Sequence, residues 1–282
     1  MLSFKIKSYA KINLYLGVLG KLKSKCHRIE SLVSFINLHD QITIKQIQKT
    51  KHKVVFYGQF SKNIPKKNTI TKLLSILDKK NLLNNKKYLI KINKKIPLKS
   101  GMGGGSMNAS SVFKYLINKN NIRLNSNQIT NITKKIGSDV ILGMQRKNTI
   151  LRANGKIIRS NKKIKIYTLI VKPNFGCSTR KIYEGIRSYS KPFLNNKNGK
   201  IFYLHKITNL KNDLEKTAFK QYPILSNIKQ NMLELPKVRF VIMTGSGSSL
   251  IGYFNSKKNT LKAAKILKKK YKNYWCILSK TI

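Results

Sequence analysis

The stretch Pro97-Leu98-Lys99-Ser100-Gly101-Met102-Gly103-Gly104-Gly105-Ser106-Met107-Asn108-Ala109 decides how this chain is read. Four glycines and a serine lie directly ahead of a helix-like run, Ala109 to Leu116. Glycine adopts positive φ at no steric cost and lets a ligand come close to the main chain. A helix starting after such a loop aims its unpaired N–H groups and positive dipole end at whatever fills the loop. That makes an anion site, most often for a nucleotide phosphate. A flexible turn between a strand and a helix has the same composition, so the loop alone leaves both readings open. It is not a P-loop, because no lysine follows the glycines, and no acidic residue lies about 20 positions on to hold a dinucleotide ribose. Ser106 offers a hydroxyl and Asn108 an amide, to a phosphate or to the helix end.

Working outward, Tyr88 to Ile92 reads as the strand that feeds the loop. Phe4 to Ile6, Ile12 to Leu19, Val33 to Leu38, Gln41 to Ile47 and Lys53 to Tyr57 read as earlier strands. Ile70, Leu73, Leu74 and Leu77 have helical spacing, and Thr130 to Ile136 is a helix stopped by Gly137. Strands first and helices packed on them argue an α+β domain. Lys147 to Ile166 is polar, basic and rich in turn residues, so the domain boundary is expected there. Beyond it, Tyr167 to Val171, Phe240 to Met243 and Leu250 to Phe254 read as strands and Thr260 to Lys270 as a helix. Ser188 to Lys200 reads as a surface loop.

The chain has 282 residues, enough for two domains, and a formal net charge of +51. Basic surfaces suggest nucleic acid or anionic membranes. Only eight of the 59 basic residues are arginine, however, and arginine is the residue of bidentate phosphate and base recognition. Lysine, asparagine and isoleucine are what A/T-rich codons encode. The charge therefore reads mainly as compositional drift, with a dedicated polyanion surface as the alternative. Cys26, Cys177 and Cys276 are odd in number and far apart, which argues against a zinc site or disulfide framework and for a reduced, cytoplasmic setting. Ile12 to Gly20 is apolar but too short to span a bilayer and has no small-residue cleavage site.

Phosphoryl transfer to an alcohol needs a phosphate cradle, charge neutralisation and an acceptor for the hydroxyl proton. Only eight carboxylates are available. Glu30, Asp40 and Asp78 sit in polar, turn-like contexts. Asp139 differs, lying in Ile136-Gly137-Ser138-Asp139-Val140-Ile141-Leu142 between apolar neighbours. A buried carboxylate is costly unless it is paired, so this one points to function, or else to a helix cap. Lys11, inside an apolar strand, must find an anion or lose its proton, unless it is one more exposed strand lysine.

Pro-x-x-x-Gly-x-Gly-Gly-Gly-Ser-x-Asn-Ala resembles the phosphate-binding motif of the GHMP small-molecule kinases. With its triple glycine it most resembles the 4-diphosphocytidyl-2-C-methyl-D-erythritol kinases. Tyr9-Ala10-Lys11-Ile12-Asn13-Leu14-Tyr15-Leu16 is similar to that family's Pro-Ala-Lys-Ile/Leu-Asn-Leu-x-Leu, with Tyr9 for the proline. Cys26-His27 stands at its Tyr-His position. Asn212-Asp213-Leu214-Glu215 and Thr244-Gly245-Ser246-Gly247-Ser248-Ser249 resemble two further motifs, in the family's order.

The resemblance implies a two-domain α+β fold. Residues 1–157 would form a ribosomal-protein-like β/α domain carrying the ATP loop, and residues 158–282 a ferredoxin-like α/β sandwich. It implies ATP-dependent phosphorylation of the substrate's 2-hydroxyl in isoprenoid precursor synthesis, with Mg2+ accompanying ATP and no metal held by protein ligands alone. Asp139, at the family's Gly-Ala/Ser-Asp-Val/Ile-Pro position (here with Ile141 for the proline), becomes the general base, and Lys11 its charge-stabilising partner. Pro97 through Asn108, with Asn68, would bind ATP. Asn13, His27, Thr179, Tyr183, Gly245 and Gly247 would bind the substrate, His27 and Tyr183 at its cytosine. Cys26 removes the aromatic that would stack on that base, and Met107 removes a loop serine. The implied partners are small molecules, with no specific nucleic acid and no membrane, in a monomer or homodimer. A homoserine or mevalonate kinase is the near alternative, and a non-enzymatic RNA-binding protein the distant one.

Overall fold

The computed structural model describes residues 2–22 and 26–282. Contacts group the chain into two compact units that interleave along the sequence. The first comprises Met1–Ala10, Leu38–Leu98 and Gly103–Arg146, and the second Lys11–Asn37, Lys99–Met102 and Lys147–Ile282. Two long strands, β1 (Ser3–Lys21) and β2 (His27–Ile47), contribute to both. Each was expected as two short strands. The gaps between the expected pieces hold polar residues such as Lys11 and Asp40, but their side chains are hydrogen-bonded and the strands run through them.

In the first unit, β3 (Lys53–Tyr57) is followed by α1 (Thr69–Lys79) and β4 (Lys87–Asn93). β4 pairs parallel with β3 and antiparallel with the Gln41–Ile47 end of β2. Helix α1 starts where it does because Asn68 caps it, its Oδ1 accepting from the N–H groups of Ile70 (3.0 Å) and Thr71 (3.2 Å). Its Ile70, Leu73, Leu74 and Leu77 join Ile42, Ile44, Ile90 and Ile92 in one core. α2 (Gly104–Lys119) adds Val112, Phe113 and Leu116 to it. The helix begins within the glycines, ahead of the expected Ala109, because glycine carries no side chain to show a periodicity. α3 (Ser126–Ile136) also starts before the expected Thr130, through a capping box between Asn125 and Gln128. α4 (Val140–Gly143) ends this part of the chain.

In the second unit, the stretch expected as a polar linker forms an antiparallel pair, β5 (Asn148–Leu151) and β6 (Ile157–Ser160). Asn154-Gly155 makes the turn, and β5 pairs on to Ser31–Val33 of β2. The expected 157/158 boundary falls inside β6.

Four further strands, β7 (Tyr167–Lys172), β8 (Phe240–Met243), β9 (Leu250–Phe254) and β10 (Trp275–Lys280), form an antiparallel sheet in the order β10-β7-β9-β8. Helices α5 (Thr179–Glu184), α6 (Leu204–Ile207), α7 (Leu214–Gln221) and α8 (Pro223–Leu233) separate β7 from β8, and α9 (Lys257–Lys270) separates β9 from β10. That is the β-α-β-β-α-β order of a ferredoxin-like sandwich, as the resemblance implied. Leu169, Val171, Leu225, Met232, Leu250 and Leu267 are among its buried core. Among the described residues no helix is long and apolar enough to cross a membrane.

Asp40 corrects its sequence reading. It is fully buried in β2, not in a polar turn. It accepts from the N–H groups of Lys95 (2.7 Å) and Ile96 (2.8 Å), from the Asn108 amide (2.9 Å) and from the buried Lys94 ammonium. Asp40→Asn leaves that ammonium buried and uncompensated, and should cost about 3–5 kcal/mol in chemical denaturation. Adding Lys94→Met should recover part of the loss. A cost below about 1 kcal/mol for Asp40→Asn would show that the pair does not hold this region together.

Candidate active site

In the first unit the loop's second half leads into α2 through Gly103, whose φ is +66°. The Met107 N–H bonds back to the Gly103 carbonyl (2.9 Å), so the N–H groups before it are the open first turn of a 16-residue helix. A Cβ added at Gly104 would stand 3.0 Å from the Ile96 Cγ2 and 3.2 Å from the Lys94 Nζ. The Thr69 hydroxyl donates to the Gly105 carbonyl (2.8 Å), tying the start of α1 to the loop.

Asn68 lines a cleft of about 700 Å3 whose apolar walls include Val54, Phe56, Ile64 and Pro65. Its side-chain amide is already occupied, with Oδ1 capping α1 and Nδ2 donating to the carbonyls of Pro65 and Lys66. It therefore shapes the cleft without a free donor. Asn108 is likewise 1% exposed, with its amide on Asp40. Met107 is buried with its sulfur beside Gly143, so the change from serine there falls on the core face. Asp139 was expected to be buried between apolar neighbours. Val140 and Leu142 are buried, but Asp139 is half-exposed. It holds the N-cap position of α4 without a side-chain capping bond, so helix capping does not account for it.

In the second unit Lys11 is only 4% exposed, which removes the reading of an ordinary surface lysine. Its ammonium donates to the Asn13 Oδ1 (2.8 Å) and its N–H to the Met102 carbonyl (3.1 Å). The Asn13 N–H donates to the Thr244 hydroxyl (3.1 Å) and its amide to the Ser31 hydroxyl (2.8 Å). The loop's Lys99–Met102 portion packs against the Thr244–Ser249 turn. Gly101 has φ +74°, and a Cβ there would lie 1.9 Å from the Thr244 carbonyl oxygen, so only glycine fits. Gly245 and Gly247, expected at the substrate, lie in this turn.

Asn212 holds the turn from below, its amide donating to the carbonyls of Met243 and Gly245 at 2.7 Å each. Asp213 accepts from the Val18 N–H (2.8 Å) and Glu215 from the Met243 N–H (2.8 Å). Asn212 and Glu215 thus bracket the glycine turn and the end of β8, while Asp213 ties the segment to β1. That role was not read from the sequence, where only the motif's similarity was visible.

His27 and Tyr183 come together, ring centroids 5.0 Å apart and 36° inclined, and the Thr179 and Ser246 hydroxyls share a hydrogen bond of 2.8 Å. Burial, with a smaller contribution from the Lys21 charge, lowers the His27 pKa. The imidazole is therefore neutral at pH 7, able to donate from one nitrogen and accept at the other.

The class of protein that this fold and loop define is the GHMP kinase. Residues 68–146, which include Asn68, the glycine helix and Asp139, match the model of the GHMP kinases N terminal domain. The chain belongs to the 4-diphosphocytidyl-2-C-methyl-D-erythritol kinase family. A relative of that name from Pelagibacter ubique is 55% identical over 282 residues, all of both chains. A crystal structure of 4-(cytidine 5'-diphospho)-2C-methyl-D-erythritol kinase shares the fold, with a TM-score of 0.79 at 20% identity over 98% of this chain and 99% of that one. A homoserine kinase from Cytophaga hutchinsonii also shares it, with a TM-score of 0.69 at 14% identity over 99% and 94%.

An NMR titration of the imidazole should find the His27 midpoint below 6.5. Because the folded value lies below the unfolded one, this histidine's stabilising contribution is full above pH 6.5 and is lost as pH falls through the folded midpoint. A midpoint above 6.5 would contradict the burial assigned to the ring.

Proposed function

We propose that this chain phosphorylates the 2-hydroxyl of 4-diphosphocytidyl-2-C-methyl-D-erythritol with ATP, in the non-mevalonate isoprenoid precursor pathway. The observation that carries the reading is full-length identity of 55% to a kinase of that name. The fold alone does not choose the substrate, since a homoserine kinase has the same one. No observation favours an RNA-binding protein.

ATP phosphates lie along the Gly101–Ser106 loop, held by its N–H groups and the positive end of α2. The purine fits the cleft beside Asn68, whose walls are apolar and aromatic. Among the described residues no group of three or more histidines, cysteines and carboxylates gathers to hold a metal. Magnesium accompanying ATP would neutralise the phosphates' charge, and the Ser106 hydroxyl of the loop is the side chain that would help to hold it.

Asp139 takes the proton from the substrate hydroxyl as that oxygen bonds to the γ-phosphorus and the bond to the β-phosphate oxygen breaks, releasing ADP. Lys11, kept in place by Asn13, supplies positive charge to the reacting oxygens. His27 and Tyr183 receive the cytosine, with Thr179, Asn13, Gly245 and Gly247 lining the rest of the substrate's path. In this division residues 1–157 supply the nucleotide loop and both catalytic groups, and residues 158–282 supply Thr179, Tyr183 and the glycine turn. A cytoplasmic monomer or homodimer completes the reading.

Asp139→Asn should lower kcat about 100-fold or more, the usual scale for a lost general base, and leave the ATP dissociation constant within about twofold. ATP consumption measured with cytidyl, homoserine and mevalonate substrates tests the assignment as a whole. Unchanged turnover in a folded Asp139→Asn protein would remove the aspartate from the mechanism, and preference for homoserine or mevalonate would overturn the substrate.

A further inference from the structure

His27 has a second aromatic neighbour. The Tyr189 ring lies 6.4 Å from the imidazole, inclined by 46°, and 48% of the residue is exposed. The segment that carries it was read as an ordinary surface loop, but it is bolted to the sheet. The Ser190 N–H donates to the Val18 carbonyl (2.9 Å). Glu30, fully buried, accepts from the N–H groups of Phe193 (2.7 Å) and Leu194 (3.0 Å) through its two oxygens, and from the Tyr15 hydroxyl (2.9 Å). Phe193 packs on the Tyr15 ring at 5.3 Å, and Leu194 has no exposure at all. His27 and Glu30 belong to the same strand, β2. One strand therefore carries the imidazole and also the anchor of the loop that brings Tyr189 beside it.

A buried carboxylate taking two adjacent main-chain N–H groups orders a segment that has no regular structure of its own. What that order delivers is an exposed ring beside His27, which itself lies against Tyr183. An aromatic ring in such a place offers a π-face to a planar heterocycle, and tyrosine does so at small cost in side-chain entropy. Residue 26, which precedes the imidazole, is an exposed cysteine and offers no such face.

We propose that Tyr189 is a stacking surface for the pyrimidine ring of the substrate, and that Glu30 is the positioning residue that pre-orders it. This rests on the cytidyl reading above. Base–aromatic stacking is worth about 1–3 kcal/mol by alanine substitution, which corresponds to roughly 5- to 150-fold in affinity.

The full chain, Tyr189→Ala and Tyr189→Phe are to be compared in steady-state kinetics, with calorimetric binding of CDP as a second readout. Tyr189→Ala should raise the KM for the cytidyl substrate and the Kd for CDP within that range, with kcat moving far less and the KM for ATP within about twofold. Tyr189→Phe should stay within about twofold throughout, because the ring face and not the hydroxyl makes the contact. If the parent phosphorylates the cytidyl substrate and Tyr189→Ala leaves its KM and the CDP affinity unchanged, the inference fails alone. An equal loss in Tyr189→Phe overturns it too, in favour of a hydroxyl contact. A parent chain that neither binds CDP nor phosphorylates the cytidyl substrate removes the reading on which it rests.

Discussion

Asp40 receives two main-chain N–H groups, an asparagine amide and a lysine ammonium without any contact with solvent. A carboxylate in such a place is tolerated only because every donor is aimed at it. The donors come from the chain just after β4 and from the first turns of α2, the two sides of the glycine loop within the first unit. With both fixed to one point on β2, the open N–H groups of α2 keep a constant position. The Cβ space at Gly104, bounded by Ile96 and the Lys94 ammonium, is part of the same arrangement. The start of α2, proposed above as a phosphate cradle, thus depends on a charge below it as much as on its glycines.

The second unit repeats the device with other residues. Glu30 binds the Phe193–Leu194 main chain, Glu215 the Met243 N–H, Asp213 the Val18 N–H, and Asn212 the carbonyls around Gly245. Of the eight acidic residues, set against 59 basic ones, Glu30, Asp40, Asp213 and Glu215 accept main-chain N–H groups. The lysines, by contrast, are mostly solvated. Glu30 and Asp40 are buried outright, whereas Glu184 and Glu234 are exposed like most of the lysines.

The glycine-started helix and the Lys11 strand were legible in the sequence because a glycine turn and an embedded lysine are built from neighbours in the chain. The ferredoxin-like half was legible only through the family resemblance. Its helices α7 and α8 and its last strand β10 gave weak periodicity in a background of lysine and asparagine. β5 and β6 were missed although Asn154-Gly155 is a hairpin signal, because the lysines around them resemble a linker. Asp40 and Glu30 were read as polar, turn-like residues for a physical reason: a carboxylate in a strand reads as a break unless its donors are known, and those donors lie 54 to 68 residues away for Asp40 and 163 to 164 for the main-chain partners of Glu30. Asp139 was noticed on an argument from burial that its half-exposure does not sustain. The family motif is what singles it out.

The interleaving of the two units sets an order of events at the ribosome. The first unit has all its parts once Arg146 has emerged, whereas Lys11–Asn37, made near the start, belongs with strands made at the very end. At about 5–20 residues per second, those early residues wait roughly 10 to 50 s for β7, β9 and β10 to be complete. During that interval the Ile12 to Leu19 stretch has β2 to pair with but lacks Leu169, Val171 and Leu250, which share its core. The nascent chain is therefore most in need of a chaperone in the middle of its synthesis, after its first unit is complete and before its second can close.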